Sequence, residues 1–325
     1  MRSKPRHETP AVGPERRFAR YPAPALRGHV ERLWGWENAG PLPLPLVTPG
    51  LGAEIFFHHG TALRSSVQGV EREHSQGHLL CVRHAPLQFL EQRDVGFTVA
   101  RIRAGALGRF TRIPLRDLKD SQLEVPEIWG RAGAETVERV ADAKTQEERA
   151  TIIEQFLLDR LLETQVDAIA ERALQLIYRC PDISIPELAE GCGLGRRQLE
   201  RRVTNYFGQS PVELRCLARF YRVVRRLVLE PSRDTLQSGL EAGYFDQSHL
   251  IRDFKRFTGM TPQAFRNQAA AKTHFYNPSS RAGSSLGFDS RSTRDDSLAR
   301  RASRSATALG NRSHEVARAA RIDRE

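Results

Sequence analysis

The chain has 325 residues, enough for about two domains of ordinary size, with 39% hydrophobic and 27% charged residues, the balance of a globular protein. Fifty Lys and Arg against 39 acids leave a formal charge of +11, which points to a polyanionic partner, nucleic acid before membrane. The four cysteines, Cys81, Cys180, Cys192 and Cys216, are scattered and form no CxxC pair, which fits reduced, mostly buried thiols better than a disulfide frame or a zinc site. No secretory signal and no apolar run of membrane-spanning length is present, so a cytoplasmic location is expected.

In chain order, residues 1–17 read as a flexible leader. Prolines between Pro22 and Pro49 then exclude long helices. Ala53-Glu54-Ile55-Phe56-Phe57 and Leu79-Leu80-Cys81-Val82 are compact strand-like runs. Val95–Arg103 alternates Val95, Phe97 and Val99 with Gly96, Thr98 and Ala100, the period of a strand. Ala106–Leu118 reads as a short helix and turn, and Ile128-Trp129-Gly130 as the close of this region. Helical pattern follows at Glu135–Arg139 and Glu147–Leu162, where Ile152, Ile153, Phe156, Leu157 and Leu161 form an apolar stripe. Packing on the β-rich half is preferred for this stripe over a dimer seam.

Residues 166–268 are helical almost throughout: Ala168–Tyr178, Ile185–Cys192, Arg196–Phe207, Pro211–Glu230 ended by Pro231, a poor helix near Thr235–Ala242, and Gln247–Phe257. Residues 269–325 are rich in Ser, Arg, Ala and Gly, the composition of a disordered tail. Arg291, Arg294, Arg300, Arg301 and Arg304 are interleaved there with Asp and Ser, a solvated tail before a phosphate-contacting one. The predicted fold class is α+β. A β-rich barrel or sandwich-like domain with flanking helices spans 18–163, and an all-α domain spans 166–268.

The all-α part repeats itself. Leu199-Glu200-Arg201-Arg202-Val203, Tyr206-Phe207-Gly208, Pro211, Leu214 and Arg215 recur 51 residues later as Leu250-Ile251-Arg252-Asp253-Phe254, Phe257-Thr258-Gly259, Pro262, Phe265 and Arg266. One supersecondary unit used twice is expected. In the first copy Ser184 is a credible N-cap, Pro186 lies in the first turn, and Gly193 permits a tight turn before a second helix at Arg196. This is the pattern of a helix-turn-helix, whose second helix enters a major groove.

If that second helix buries Leu199, Val203 and either Tyr206 or Phe207, then Arg196, Arg197, Glu200 and Arg201 project from its first turns. Arg reaches guanine O6 and N7, and Glu accepts from cytosine N4. Arg202 and Asn205 fall on the flank, suited to phosphate. In the second copy Leu250, Phe254 and Phe257 supply the buried stripe and His249, Arg252, Asp253 and Arg256 face outward, with Gln247 and Ser248 suited to base or phosphate. Arg201 and Arg252 are equivalent. Between the copies, Leu214, Leu217, Ala218, Tyr221, Val224 and Val228 form the inner face of a long helix, with Arg215, Arg219, Arg222, Arg225 and Arg226 on the rest. A rod of ~30 Å matches one turn of B-DNA, ~34 Å, and so sets two recognition helices into successive major grooves. Nine arginines between Arg196 and Arg226 face only Glu200 and Glu213.

The second copy, Ala242-Gly243-Tyr244-Phe245-Asp246-Gln247-Ser248-His249-Leu250 through Gly259-Met260-Thr261-Pro262, resembles the signature of the AraC/XylS family of transcription regulators. Leu33-Trp34, Pro49-Gly50, Phe97–Gly105 and Leu115–Trp129 resemble the N-terminal domain of one AraC subgroup. The resemblance covers 18–268. It implies a β-rich sensor or assembly domain, base contacts at Arg197, Glu200, Arg201, Ser248, His249 and Arg252, and phosphate or positioning contacts at Arg196, Arg202, Asn205, Gln247 and Arg256. It also implies double-stranded DNA and RNA polymerase as partners, and leaves a small-molecule effector and a homodimer open. Two departures stand out. Gly195 replaces a Ser-type helix cap, and Ser238-Gly239 replaces an aliphatic residue and Ala, which predicts a loosely held second unit.

Enzyme signals are weak. Gly191–Gly195 lacks the GxGxxG pattern and a preceding strand. His58 and His59 are adjacent and point to opposite faces of a strand. His74 and His78 have ligand-like spacing in what reads as a surface loop, with no third ligand beside them. No metal, cofactor or catalytic group is expected. The reading is a sequence-specific DNA-binding transcription regulator; the alternatives are an architectural DNA binder and a small-molecule or metal-binding enzyme on the β-rich half.

Overall fold

A computed structural model describes residues 16–40, 46–50, 52–81, 85–163, 167–180, 182–229 and 234–271. Residues 1–15 of the expected leader, Val82, Glu230, Pro231 and the tail from residue 272 onward lie outside the described residues. The strands are β1 (Arg16–Arg20), β2 (Val30–Asn38), β3 (Leu46–Val47), β4 (Ala53–His58), β5 (Arg64–Val67), β6 (Val70–Glu73), β7 (Gly77–Leu80), β8 (Leu87–Phe89), β9 (Val95–Ile102) and β10 (Gln122–Glu124). They form an antiparallel six-stranded sheet in the order β1-β2-β9-β4-β7-β10 and a four-stranded sheet in the order β3-β8-β5-β6. The strand β1 begins two residues inside the expected leader.

The alternation of strand side chains divides the larger sheet between two cores. Phe56, Leu80, Val95, Phe97 and Val99 point toward the smaller sheet and pack with Leu63, Leu87 and Phe89. Their neighbours Ile55, Phe57, Leu79, Ala100 and Ile102 point the other way, into a core with Val140, Ile153, Phe156 and Leu157. Those last residues belong to α2 (Val125–Asp142) and α3 (Gln146–Leu158), which cover the outer face. The apolar stripe of residues 152–161 thus packs on the sheet. Arg20 ties β1 to α3 through Glu147, 2.6 Å away, and Glu154. Because both faces are covered, β9 is buried almost along its length rather than on alternate residues.

Two expectations for this half are corrected. Ile128-Trp129-Gly130 does not close the region. It lies inside α2, which starts at a Glu124 cap and kinks where Gly130 takes φ 58°. His74 and His78 are not on a surface loop. They are 6% and 2% exposed, and their rings stack at 4.0 Å inside the sandwich, with His58 Nε2 3.3 Å from His78 Nδ1. His59 points the opposite way, toward Gln146 and Glu37.

After a four-residue helix α1 (Leu115–Leu118), the C-terminal half continues as α4 (Ala168–Arg179), α5 (Ile185–Gly191), α6 (Arg196–Phe207), α7 (Pro211–Leu229), α8 (Thr235–Leu240), α9 (Gln247–Thr258) and α10 (Pro262–Ala271). One hydrophobic core runs through all of it, from Leu174 and Ile177 to Phe265. Phe220 of α7 sits at its centre, with ring centroids 5.0 Å from Phe254 and 4.9 Å from Phe257. The β-rich half rests on the back of this domain. Tyr221 donates its hydroxyl hydrogen to the Pro49 carbonyl, Lys119 Nζ lies 3.2 Å from Glu213 Oε1, and Gly105 fits so closely under Tyr206 and Phe207 that a Cβ would meet Phe207 at 2.7 Å.

Candidate nucleic-acid interface

The first unit is built as its sequence directs. Ser184 Oγ accepts from the Glu187 amide at 3.3 Å and Glu187 Oε2 accepts from the Ser184 amide at 2.9 Å, a capping box that starts α5. Gly193 turns the chain at φ 65°. In α6, Leu199, Val203 and Phe207 are buried, and Tyr206 is half-buried, so Phe207 is the third member of the inner stripe. Arg196, Arg197, Glu200 and Arg201 stand exposed on the first turns, with Arg202 and Asn205 exposed beside them. Gly195 makes no side-chain cap; its amide donates instead to Gln198 Oε1 at 3.4 Å.

The second unit copies the first. Like α6, α9 has 12 residues and ends on a left-handed glycine, Gly259 at φ 73° against Gly208 at φ 72°. Only glycine takes that conformation without strain. Asp246 caps α9 by accepting from the His249 amide at 2.7 Å. Leu250, Phe254 and Phe257 are buried; Gln247, Ser248, Arg252 and Arg256 are exposed. His249 is half-buried, its ring edge-on to Tyr244 at 5.0 Å. Asp253 corrects the sequence reading. It is 6% exposed and faces inward beside Tyr244, whose phenol is pushed up by burial first and by this carboxylate second.

The arginines of α7 are a second correction. Arg215 donates to the Ile183 carbonyl at 2.6 Å, Arg222 to the carbonyls of Tyr178 and Arg179, and Arg226 to the Ser238 carbonyl at 3.0 Å. Arg219 is buried, with its guanidinium 5.4 Å from the Tyr244 ring centroid. Arg215, Arg222 and Arg226 staple helix ends and turns within the domain, because the last carbonyls of α4 and α8 have no partner in their own helices, whereas Arg219 lies over the Tyr244 ring. Of the nine arginines between residues 196 and 226, the exposed ones on the candidate face are Arg196, Arg197, Arg201 and Arg202, with Arg225 exposed on α7.

Sequence reasoning missed Asp167. It accepts from the Ile169 and Ala170 amides at 3.1 and 3.0 Å as the cap of α4, and its other oxygen lies 2.6 Å from Arg202 Nε. A cleft of about 450 Å³ opens here between Asp167, Leu194, Gln198, Arg201 and Asn205. An Asp directly before a helical run was the available signal for the cap, but not for the ion pair. Among the described residues no group of three His, Cys, Asp or Glu is placed to hold a metal ion, and no helix is long and apolar enough to cross a membrane.

The helices α5–α6 and α8–α9 thus form two units of the helix-turn-helix class on one hydrophobic core. A helix-turn-helix domain family matches residues 188–268, and this domain is of the AraC type. The HTH-type transcriptional regulator ArgR of Pseudomonas aeruginosa is 29% identical over 93 residues, and the matched stretch spans 28% of that protein's length. Among solved structures, ToxT from Vibrio cholerae overlays with a TM-score of 0.44 at 12% identity, covering 73% of this chain and 96% of that one. The AraC-like transcriptional activator CuxR overlays with a TM-score of 0.24 at 11% identity, covering 70% and 91%.

Proposed function

We propose that this protein is a sequence-specific transcription regulator that reads two successive major grooves of duplex DNA with α6 and α9. One observation carries the reading: two 12-residue helices, each with a buried apolar stripe and an exposed polar face, are joined through the 19-residue α7. At 1.5 Å per residue α7 is about 28 Å long, close to one turn of B-DNA. In this reading Arg197 and Arg201 contact guanine, Glu200 accepts from cytosine, and Ser248, His249 and Arg252 read the second half-site. Arg196, Arg202, Asn205, Gln247 and Arg256 set the register on phosphates. Domains at 18–163 and 166–268 divide sensing or assembly from DNA reading, and the contacts of Tyr221 and Lys119 are where the first acts on the second. RNA polymerase is a partner of such a regulator.

The test is to select an operator from random duplexes with the full chain and then measure Arg201→Ala on every single-base variant of it. The variant should cost about 1–3 kcal/mol on the selected sequence and relax preference at one position. A uniform loss over all sequences would remove Arg201 from base reading, and no enrichment over random DNA would make the protein an architectural binder.

A further inference from the structure

Phe245 is 87% exposed, the one phenylalanine among the large exposed apolar side chains of the described residues. It is not a loose side chain on a mobile turn. Tyr244 before it is 3% exposed and pinned between the Arg219 guanidinium and the His249 ring. Asp246 after it is the cap that starts α9. The backbone at residue 245 is therefore fixed on both sides, and the ring is held in water at the entrance to the second recognition helix. The Cα of Phe245 is about 3.8 Å from that of the capping residue, and the exposed Gln247 and Ser248 follow at once. A recognition helix meets base edges with its N-terminal residues. The one apolar feature on those edges is the 5-methyl group of thymine, and a phenylalanine is among the side chains that contact it.

We propose that Phe245 is a further specificity-determining residue, which selects a thymine in the half-site of α9 by covering its 5-methyl group. The proposal rests on the DNA-reading function above. The ring loses water-exposed apolar surface only when that methyl is present, so the gain belongs to one base at one position. Neighbouring residues do not compete for the role, because Asp246, Gln247 and Ser248 carry no ring or branched apolar group.

The experiment uses the full chain and the operator selected above. Each thymine is replaced in turn by uracil, which removes the methyl group and leaves the pairing edge intact. One thymine of the α9 half-site should show a loss of about fourfold to fifteenfold in affinity, the scale of one to two buried methyl groups. Phe245→Ala should bind the thymine and uracil operators alike, Phe245→Leu should keep part of the difference, and both should melt as the parent does. Responses to base changes under α6 should be the same in all three proteins. The proposal is overturned if uracil is silent at every position, if no thymine occurs in that half-site, or if Phe245→Ala keeps the penalty. It is also overturned if Phe245→Ala binds DNA normally but lowers transcription in a purified system, which would make the ring a protein contact. Failure to enrich any operator is a separate result, since it removes the DNA-reading function itself.

Discussion

Arg202 Nε and Asp167 Oδ2 stand 2.6 Å apart, and the same carboxylate caps α4. A cation on the flank of the first recognition helix is thus already paired, by an acid that lies beside the proposed DNA face. Asp167→Asn separates the two roles of this residue. Asn caps a helix about as well as Asp, so the melting temperature should change little. Removing the negative charge frees Arg202 for phosphate and should tighten binding to operator and random duplexes alike. The slope of log K against log salt should steepen by about one phosphate contact. Unchanged affinity with an unchanged slope would mean that Arg202 stays off the DNA.

Arg226 makes a contrasting case. Its guanidinium joins α7 to α8 through the Ser238 carbonyl at 3.0 Å and Glu241 at 3.3 Å. Arg226→Ala should therefore lower the stability of the second unit by about 1.5–3 kcal/mol, the range for hydrogen bonds to a charged group. Amide exchange should rise in α8 and α9 and stay unchanged in α4 to α6. Equal loss of protection in both units would show that the domain opens as a whole.

Gly239 bears on the same unit. A Cβ there would meet Leu250 Cδ2 at 2.7 Å, and Leu250 is 1% exposed. Ala would gain about 1 kcal/mol of helix propensity but overpack a closed site, at about 1–3 kcal/mol. The clash should win, and Gly239→Ala should lower the urea midpoint. In a Leu250→Ala background the same change should be neutral or stabilising, since the space it needs is then open. A melt of the two singles and the double closes the cycle.

These positions show what the sequence could carry. The repeat, the turn at Gly193, the buried stripes of α6 and α9 and the outward face of Arg196, Arg197, Glu200 and Arg201 are local facts, because spacing alone determines which side of a helix a residue occupies. The roles of Gly239 and Ser238 were not legible. In isolation they predict a weak helix, whereas in the fold the glycine admits Leu250 and the Ser238 hydroxyl donates to the Asp234 carbonyl at 2.7 Å. The α7 arginines failed for the same reason. A charge run looks alike whether it meets water, phosphate or the carbonyls of helix ends and turns 12 to 44 residues away in sequence, and only the tertiary fold decides between them. The histidines of the sandwich likewise came together through strand pairing, with His58 on β4 and His78 on the neighbouring β7.

Those histidines make the stability of the β-rich half depend on pH. Burial, with His74 and His59 nearby, pushes His58 down to about 3; burial and Arg72 push His74 to about 4. His78 lies well below its ordinary value for the same reasons, and burial with Arg149 pushes His59 to about 4 despite Glu37. All four are neutral in the folded chain at pH 5, whereas in the unfolded chain they take up protons around 6.5. Between pH 6.5 and 5 the unfolded state therefore binds more protons, and stability must fall as pH falls. The stability tied to these neutral histidines is fully present above about pH 7.5, and its loss on acidification precedes the losses from carboxylates such as Glu213, whose ordinary range lies lower. The urea midpoint of the full chain should drop from pH 7.5 to pH 5. His58→Asn removes one such proton, so its drop over the same interval should be smaller, whatever its midpoint at pH 7.5. An equal drop in parent and variant would mean that His58 is already open to protons in the folded protein.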